Sequence, residues 1–237
     1  VRNILKGAAI LAVSAGLAVT ALTGTAAAKV TPNATPACSS NCQDFSSKLL
    51  GHHTILNAFI AHNTGVAGNG GQKVNMKNAS NEQVNADFQV AYIGFVGQYC
   101  NSALNPQGFL SSTSVACLHY YFSPAYELDF QPWGNASGYC AGTAGTPFTG
   151  QNVKLELCGS TPGSLWIQQS TSFGHTAAGY NAYISGATTS FSHPYVASVD
   201  SGTRNPANQV KLRSENLLTG NSVPDAEQFT WVDGPVS

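Results

Sequence analysis

The sequence predicts an all-β fold in which one structural unit is used three times. Three observations carry this. The stretches GQKVNMKNAS (71–80), GQNVKLELCG (150–159) and NQVKLRSENL (208–217) each hold an amide residue, then valine, a polar residue, and leucine or methionine. Strand-like alternation dominates: Tyr126, Leu128 and Phe130 alternate with Glu127, Asp129 and Gln131, and Val153, Leu155 and Leu157 with Lys154 and Glu156. Clusters of Gly, Asn, Ser and Pro break these runs every ten or so residues, the spacing of a sandwich or barrel.

The elements follow in order. An opening strand near Phe45, Tyr126 and Tyr180 precedes Val74, Val153 and Val210 by nearly equal intervals. Between them lie a turn and a second strand, in HHTILNAF, ASGYCAGTA and SHPYVASV. NCQDFSSKLLGHHTILNAF has a helical alternative, but Gly51 interrupts it and HTILNAF suits a strand better. After each valine come a loop and an aromatic: Phe88, Trp166 and Phe229. Three lobes of four strands form a β-trefoil, six strands closing a barrel and six capping it. The lobes span about 42–90, 123–170 and 176–235 of a single domain, 42–235. Phe88 to Tyr126 is far longer than Trp166 to Tyr180, so about two dozen residues are inserted between lobes one and two. This insertion, about 91–122, holds Cys100 and Cys117; QVAYIGFVGQYC and SVACLHYYF are expected to form a disulfide-tied hairpin. One lobe cannot bury its own apolar face, whereas three around an axis bury a common core and leave few strand edges.

Residues 1–28 have the build of a signal peptide. Arg2 and Lys6 precede the apolar run GAAILAVSAGLAVTAL, and small residues end at Ala28. Secretion to the extracellular space is expected, with 29–41 a flexible segment and no stable membrane insertion after cleavage. Val1 suggests a literally translated GTG start of a bacterial gene. Charged residues make up only 9% of the chain, against ~25% in ordinary soluble proteins. The formal charge is −1, so no basic surface is available to neutralise phosphates, and nucleic acid is not an expected partner. Polarity comes from Asn, Ser, Thr, Gln and Gly, which suits neutral polar ligands. Six cysteines in an exported chain read as disulfides, and fifteen connectivities are possible. Nearest-neighbour pairing is expected: Cys38–Cys42, Cys100–Cys117 and Cys140–Cys158. Zinc is the alternative, without a paired C-x-x-C to support it.

GYCAGTAGTPFTGQNVKLELCGSTPGSLW resembles one repeat of the ricin-type β-trefoil lectins, with Cys140, Gly150, Val153, Leu155, Cys158 and Trp166 at matching places. The clear match covers about 30 residues; lobes one and three match in outline and lack the cysteine pair. The chain also resembles a group of proteins exported by high-GC Gram-positive bacteria, which implies no activity. The lectin resemblance implies carbohydrate binding. Its sugar-binding aspartate, however, falls on Gly142, and the glutamine of its Q-x-W tail is absent before Trp166.

What remains is generic sugar chemistry, an aromatic face with amides and hydroxyls at its rim. Candidates are Asn135, Tyr139 and Gln151 in lobe two, His193, Tyr195 and Asn208 in lobe three, and His53 with Asn57 in lobe one. The competing reading has Gln151 holding a turn and Tyr195 partly in the core. Trp133, Trp166 and Trp231 are expected to plug the barrel or cover its base. His52, His53 and His62 tempt a metal reading, but adjacent histidines on a strand face opposite sides; neither metal nor cofactor is expected. Glu127 and Asp129 share a strand face at a spacing compatible with glycoside hydrolysis, yet a solvated outer face is the expected setting. The preferred function is non-catalytic binding of carbohydrate or another neutral polar ligand. The alternatives are a protein-binding or inhibitory module using the aromatic insertion, favoured by an exposed apolar patch there, and a secreted hydrolase.

Overall fold

The computed structural model describes residues 43–51, 54–58, 70–78, 88–131, 136–169, 176–199, 209–216 and 222–233. The leader, the 29–41 segment, Cys38, Cys42, Trp133 and His52, His53 and His62 lie outside them. The first lobe has β1 (Gln43–Ser47), β2 (Thr54–Ala58), β3 (Val74–Asn78) and β4 (Phe88–Phe95). The second has β5 (Pro124–Phe130), β6 (Tyr139–Gly142), β7 (Lys154–Leu157) and β8 (Trp166–Gln168). The third has β9 (Tyr183–Ser185), β10 (Tyr195–Val199), β11 (Val210–Ser214) and β12 (Phe229–Asp233).

Pairing follows the threefold scheme. The antiparallel pairs β12–β1, β4–β5 and β8–β9 join neighbouring lobes, while β2–β3, β6–β7 and β10–β11 are hairpins within lobes. The repeat valines meet where the hairpins converge. The Val74 N–H donates to the Val153 carbonyl at 3.0 Å, and the Val153 N–H donates to the Val210 carbonyl at 2.8 Å. Bridges Lys73↔Lys154, Asn75↔Gln209 and Asn152↔Lys211 link the same three segments. All three valines are buried. The protein is a β-trefoil.

Register also fixes which residues are equivalent. Phe88 pairs with Phe130, Trp166 with Ser185 and Phe229 with Ser47. Phe45 therefore corresponds to Leu128 and Tyr183, two and three residues beyond the Tyr126 and Tyr180 expected from spacing. Within lobes, Tyr126 pairs with Trp166 and Asn181 bridges to Phe229, which gives the same alignment. The barrel core includes Phe45, Phe88, Phe130, Trp166, Tyr183 and Phe229. Phe45 stacks on Phe229 with ring centres 4.5 Å apart. Trp166 is fully buried, with its Nε1–H donating to the Ala141 carbonyl at 2.8 Å. Trp231 packs against Phe45, Tyr126 and Tyr183.

The insertion lies between β4 and β5, which themselves pair along their length. It holds a 3-10 turn (Val96–Tyr99) and the short helix α1 (Val115–His119), N-capped by Ser114, rather than further strands. Cys100–Cys117 ties the two together, as the expected pairing has it. A second core sits beneath them. Val96, Leu110, Ala116 and Tyr120 from the insertion pack with Ala125, Ile167, Ala182, Ile184 and Val196 from the barrel's outer wall. The His119 ring stacks on Phe191 at 4.2 Å. The insertion is thus a plate on the barrel wall, held by apolar burial.

Trp166→Ala should cost about 3–5 kcal/mol, because it empties the barrel core and strands the Ala141 carbonyl. Urea unfolding of the variant, monitored by far-UV circular dichroism, measures the loss.

Candidate functional site

The lobe clefts come first. The Gln151 side chain holds its own turn: Oε1 accepts from the Phe148 N–H at 3.2 Å and Nε2 donates to the Ala144 carbonyl at 2.9 Å. Asn57 is fully buried in β2, so its amide does not reach a ligand at the surface. Gln151 thus takes the turn role of its competing reading, and burial removes Asn57 from the surface. Tyr139 and Tyr195 are half-buried and pack against the barrel core. His193 is exposed, with Nδ1 3.1 Å from the Ser192 hydroxyl, and stands two residues before Tyr195, the first residue of β10. Asn135, Asn208 and His53 lie outside the described residues. In lobe two the place of the lectin aspartate is physically filled. A Cβ at Gly142 would sit 2.9 Å from the Gly163 carbonyl oxygen and 2.9 Å from Ser164 Cα.

The acidic pair is also not where alternation suggests. Glu127 is 2% exposed and Asp129 8%, which corrects the expectation of a solvated face. The reason is the plate: Ala125, on the same side of β5, belongs to the second core. Asp129 pairs in register with Cys140. Its Oδ1 lies 2.8 Å from Cys140 Sγ and 3.3 Å from Cys158 Sγ. Those sulfurs are joined as the expected Cys140–Cys158 disulfide, so they carry no proton and neither contact is a hydrogen bond. Burial pushes the Glu127 carboxyl up to about 7; the Asp129 charge adds to this, and a hydrogen bond from the Gly159 backbone opposes it. Burial, with Glu127 next, pushes the Tyr99 hydroxyl to about 12. Tyr99 donates to the Ile93 carbonyl. Buried beneath the plate, the two carboxylates do not flank a space open to a sugar chain, as hydrolysis would need.

The third feature is apolar. Eight large hydrophobic side chains are exposed among the described residues, and six lie on the insertion or its entry strand: Tyr92, Phe95, Leu104, Leu118, Tyr121 and Phe122. That bias concentrates the exposed apolar side chains on the insertion, where Tyr92 meets Phe95 and Tyr121 meets Phe122. No Asp, Glu, Lys or Arg stands between Asp87 and Glu127. A β-bulge between Tyr92 and Gly94 builds the face. The extra residue breaks alternation, so Tyr92 and Phe95 emerge on one side with rings 6.2 Å apart. Gly94 has φ +122, and a Cβ there would lie 1.8 Å from Gln98 Oε1. That oxygen accepts from the Phe95 N–H at 3.2 Å and fixes the bend. Tyr121 packs over Gly97, whose N–H donates to the Tyr121 carbonyl at 2.8 Å, and Phe122 adjoins Tyr121 at 5.0 Å. The aromatic content of the insertion is visible in sequence, but the bulge that aligns Tyr92 with Phe95 is not.

No family model matches the chain, and no curated protein matches it. Solved structures do. The chain is similar to a designed 3-fold symmetric protein, ThreeFoil, at 12% identity and TM-score 0.51, covering 81% of this chain and 97% of that one. It is similar to an exo-β-1,3-galactanase from Clostridium thermocellum at 9% identity and TM-score 0.51, over 82% of this chain but 30% of the enzyme. A mosquitocidal holotoxin follows at 8% identity and TM-score 0.49, over 82% of this chain and 17% of the toxin. At such identities the likeness shows the fold, a threefold β-trefoil, and nothing of the ligand. Among the described residues, no helix is long and apolar enough to cross a membrane. The two disulfides mark an oxidising environment.

The raised Glu127 carboxyl makes stability depend on pH. The unfolded chain releases this proton near 4.5, whereas the folded chain holds it to about 7. In that window the folded state binds more protons, so rising pH favours unfolding. The loss should be complete above about 7 and on the order of 2–3 kcal/mol. Glu127→Gln should flatten the dependence and raise the urea midpoint at neutral pH.

Proposed function

We propose that the chain is an exported, non-catalytic binding module whose contact face is the aromatic strip of the insertion, and that its partner is a protein. The leader of residues 1–28 and the disulfides support export. The carrying observation is the exposure of Tyr92, Phe95, Leu118, Tyr121 and Phe122 on an insertion without Asp, Glu, Lys or Arg. Aromatic enrichment with charge depletion is the composition of an interface centre. Ring geometry favours protein over polysaccharide. Stacked sugars need neighbouring ring faces in one plane, whereas Tyr92–Phe95 and Tyr121–Phe122 meet edge-to-face at 86° and 74°. Leu118, 63% exposed, adds an aliphatic knob that a sugar does not use but a protein pocket does.

A second reading, carbohydrate binding in the lobe clefts, draws on the third lobe. There exposed His193 and half-buried Tyr195 stand with the Ser190 and Ser192 hydroxyls. A glycan array on the mature chain tests it, with Tyr139→Ala and Tyr195→Ala as controls. Selective glycan binding lost in these variants would replace the first reading.

The strip is tested by photo-crosslinking from position 122 in the full mature chain, against extracellular proteins of the producing cell. One specific partner should be captured, and capture should persist in about 1 M salt, where charge–charge attraction is screened. Tyr92→Ala and Phe95→Ala should each weaken the purified complex by about tenfold or more. Crosslinking to no single protein, or capture indifferent to both substitutions, overturns the reading.

A further inference from the structure

Four groups capable of holding a metal ion converge beside the turn that follows β7. They are the carboxylates of Glu127 and Asp129 and the sulfurs of Cys140 and Cys158, one atom from each lying within 4.8 Å of the others. Two further observations set this place apart from an ordinary disulfide. Glu127 is 98% buried (2% exposed), yet its Oε1 has no hydrogen-bond partner. A buried oxygen left so costs about 1–3 kcal/mol, more when charged, and that cost calls for a ligand. The threefold register supplies the other. Asp129–Cys140 in lobe two occupies the position of Ile184–Val196 in lobe three, and Glu127 that of Ala182. Those lobe-three residues are all buried in the second core. In lobe one the same register gives Asp44, Ser46 and Ile55, so lobe two joins two carboxylates to a cysteine where lobe three packs only apolar groups and lobe one has no sulfur.

We propose that, once Cys140–Cys158 is reduced, Glu127, Asp129, Cys140 and Cys158 bind one thiophilic divalent cation of the zinc class. The chemistry balances. A dithiol or phosphine reductant supplies two electrons, the S–S bond breaks, and two protons give two thiols. The cation then displaces both protons and is held by two thiolates and two carboxylates. Tetrahedral zinc, with bonds of ~2.3 Å to sulfur and ~2.0–2.2 Å to oxygen, needs ligand–ligand edges of roughly 3.3–3.8 Å. Asp129 Oδ1 stands 2.8 and 3.3 Å from the two sulfurs and all four ligand atoms lie within 4.8 Å of one another, so separation of the sulfurs with small carboxylate adjustments suffices. Cys158 is half-buried and offers the reductant its way in, while Cys140 is fully buried. In the oxidised chain the sulfurs offer no thiolate, so the site is closed.

The test uses Co²⁺ and Zn²⁺ with the full mature chain, reduced by a phosphine. One Co²⁺ per chain should bind with a thiolate-to-cobalt charge-transfer band, absent from the unreduced chain and from Cys140→Ser/Cys158→Ser. Asp129→Asn and Glu127→Gln should each weaken Co²⁺ binding at least tenfold. A band that survives the double serine variant, or affinity unchanged in both carboxylate variants, overturns the proposal. Should reduction unfold the chain, Zn²⁺ must restore its β-sheet circular dichroism in the wild type and not in Asp129→Asn. Failure to restore it overturns the proposal as well.

Discussion

The structure depends on closure about the threefold axis, where the backbones of Val74, Val153 and Val210 hydrogen-bond to one another. A hairpin such as β2–β3 has one apolar face and an edge of unpaired N–H and C=O groups. Standing alone it is marginal. Three hairpins meeting at the axis satisfy part of those edges and bury the valines. The barrel strands then enclose Phe45, Phe88, Trp166, Tyr183 and Phe229. Each lobe is stable because the other two complete it, so any surface feature is borne on a frame that does not need that feature to fold.

That separation frees the connection between lobes one and two to do something else. The β4–β5 pair is part of the barrel, but the excursion beyond it makes a second core against the barrel's outer wall. Two consequences follow from this one covering. Outward-facing residues of β5 become interior, which puts Glu127 and Asp129 in a medium that disfavours their charge. The far side of the plate becomes the new surface, and it is populated by rings and leucines instead of charges.

The frame was legible in the chain for a physical reason. A shared axis demands the same small residue at the same point of each lobe, and Val74, Val153 and Val210 record that demand. Cys140 and Cys158 sit on β6 and just after β7 of one hairpin, so the nearest-neighbour expectation agrees with the observed disulfide, although spacing alone left fifteen connectivities open. Misplacing the counterpart of Phe45 at Tyr126 has a definite cause: alternation assigns a face but not a register, and a shift of two preserves the face. The shift of three at Tyr180 changes the face, because Tyr180 lies before β9 begins at Tyr183 and no alternation governs it. The burial of Glu127 and Asp129 was illegible because alternation says which side of the sheet a residue takes, not what covers that side. Gln151 and Asn57 could not be settled from sequence: amides serve turns and interiors as readily as ligands, and only hydrogen-bond partners and burial separate the cases. Gly142 shows the reverse. Its departure from the lectin pattern was visible, and the close approach of Gly163 and Ser164 explains it.

Symmetry then becomes a means of locating function. Where three lobes obey one packing rule, the rule's cost at each site is known from the other copies. Ile184 and Val196 show that the position filled by Asp129 and Cys140 can be apolar and fully buried. A chain selected for stability alone would place aliphatic groups there in lobe two as well, since burying carboxylates without a cation is costly. The same comparison singles out the plate, which has no counterpart after β8. Both features adjoin strand β5, the plate as the connection leading into it and the acidic pair on it. Local consistency is what makes a sequence specify a fold, and departures from it concentrate where something besides folding is being served. The frame is thus repeated three times, while the apolar insertion and the buried carboxylate–disulfide group each occur once, joined through β5.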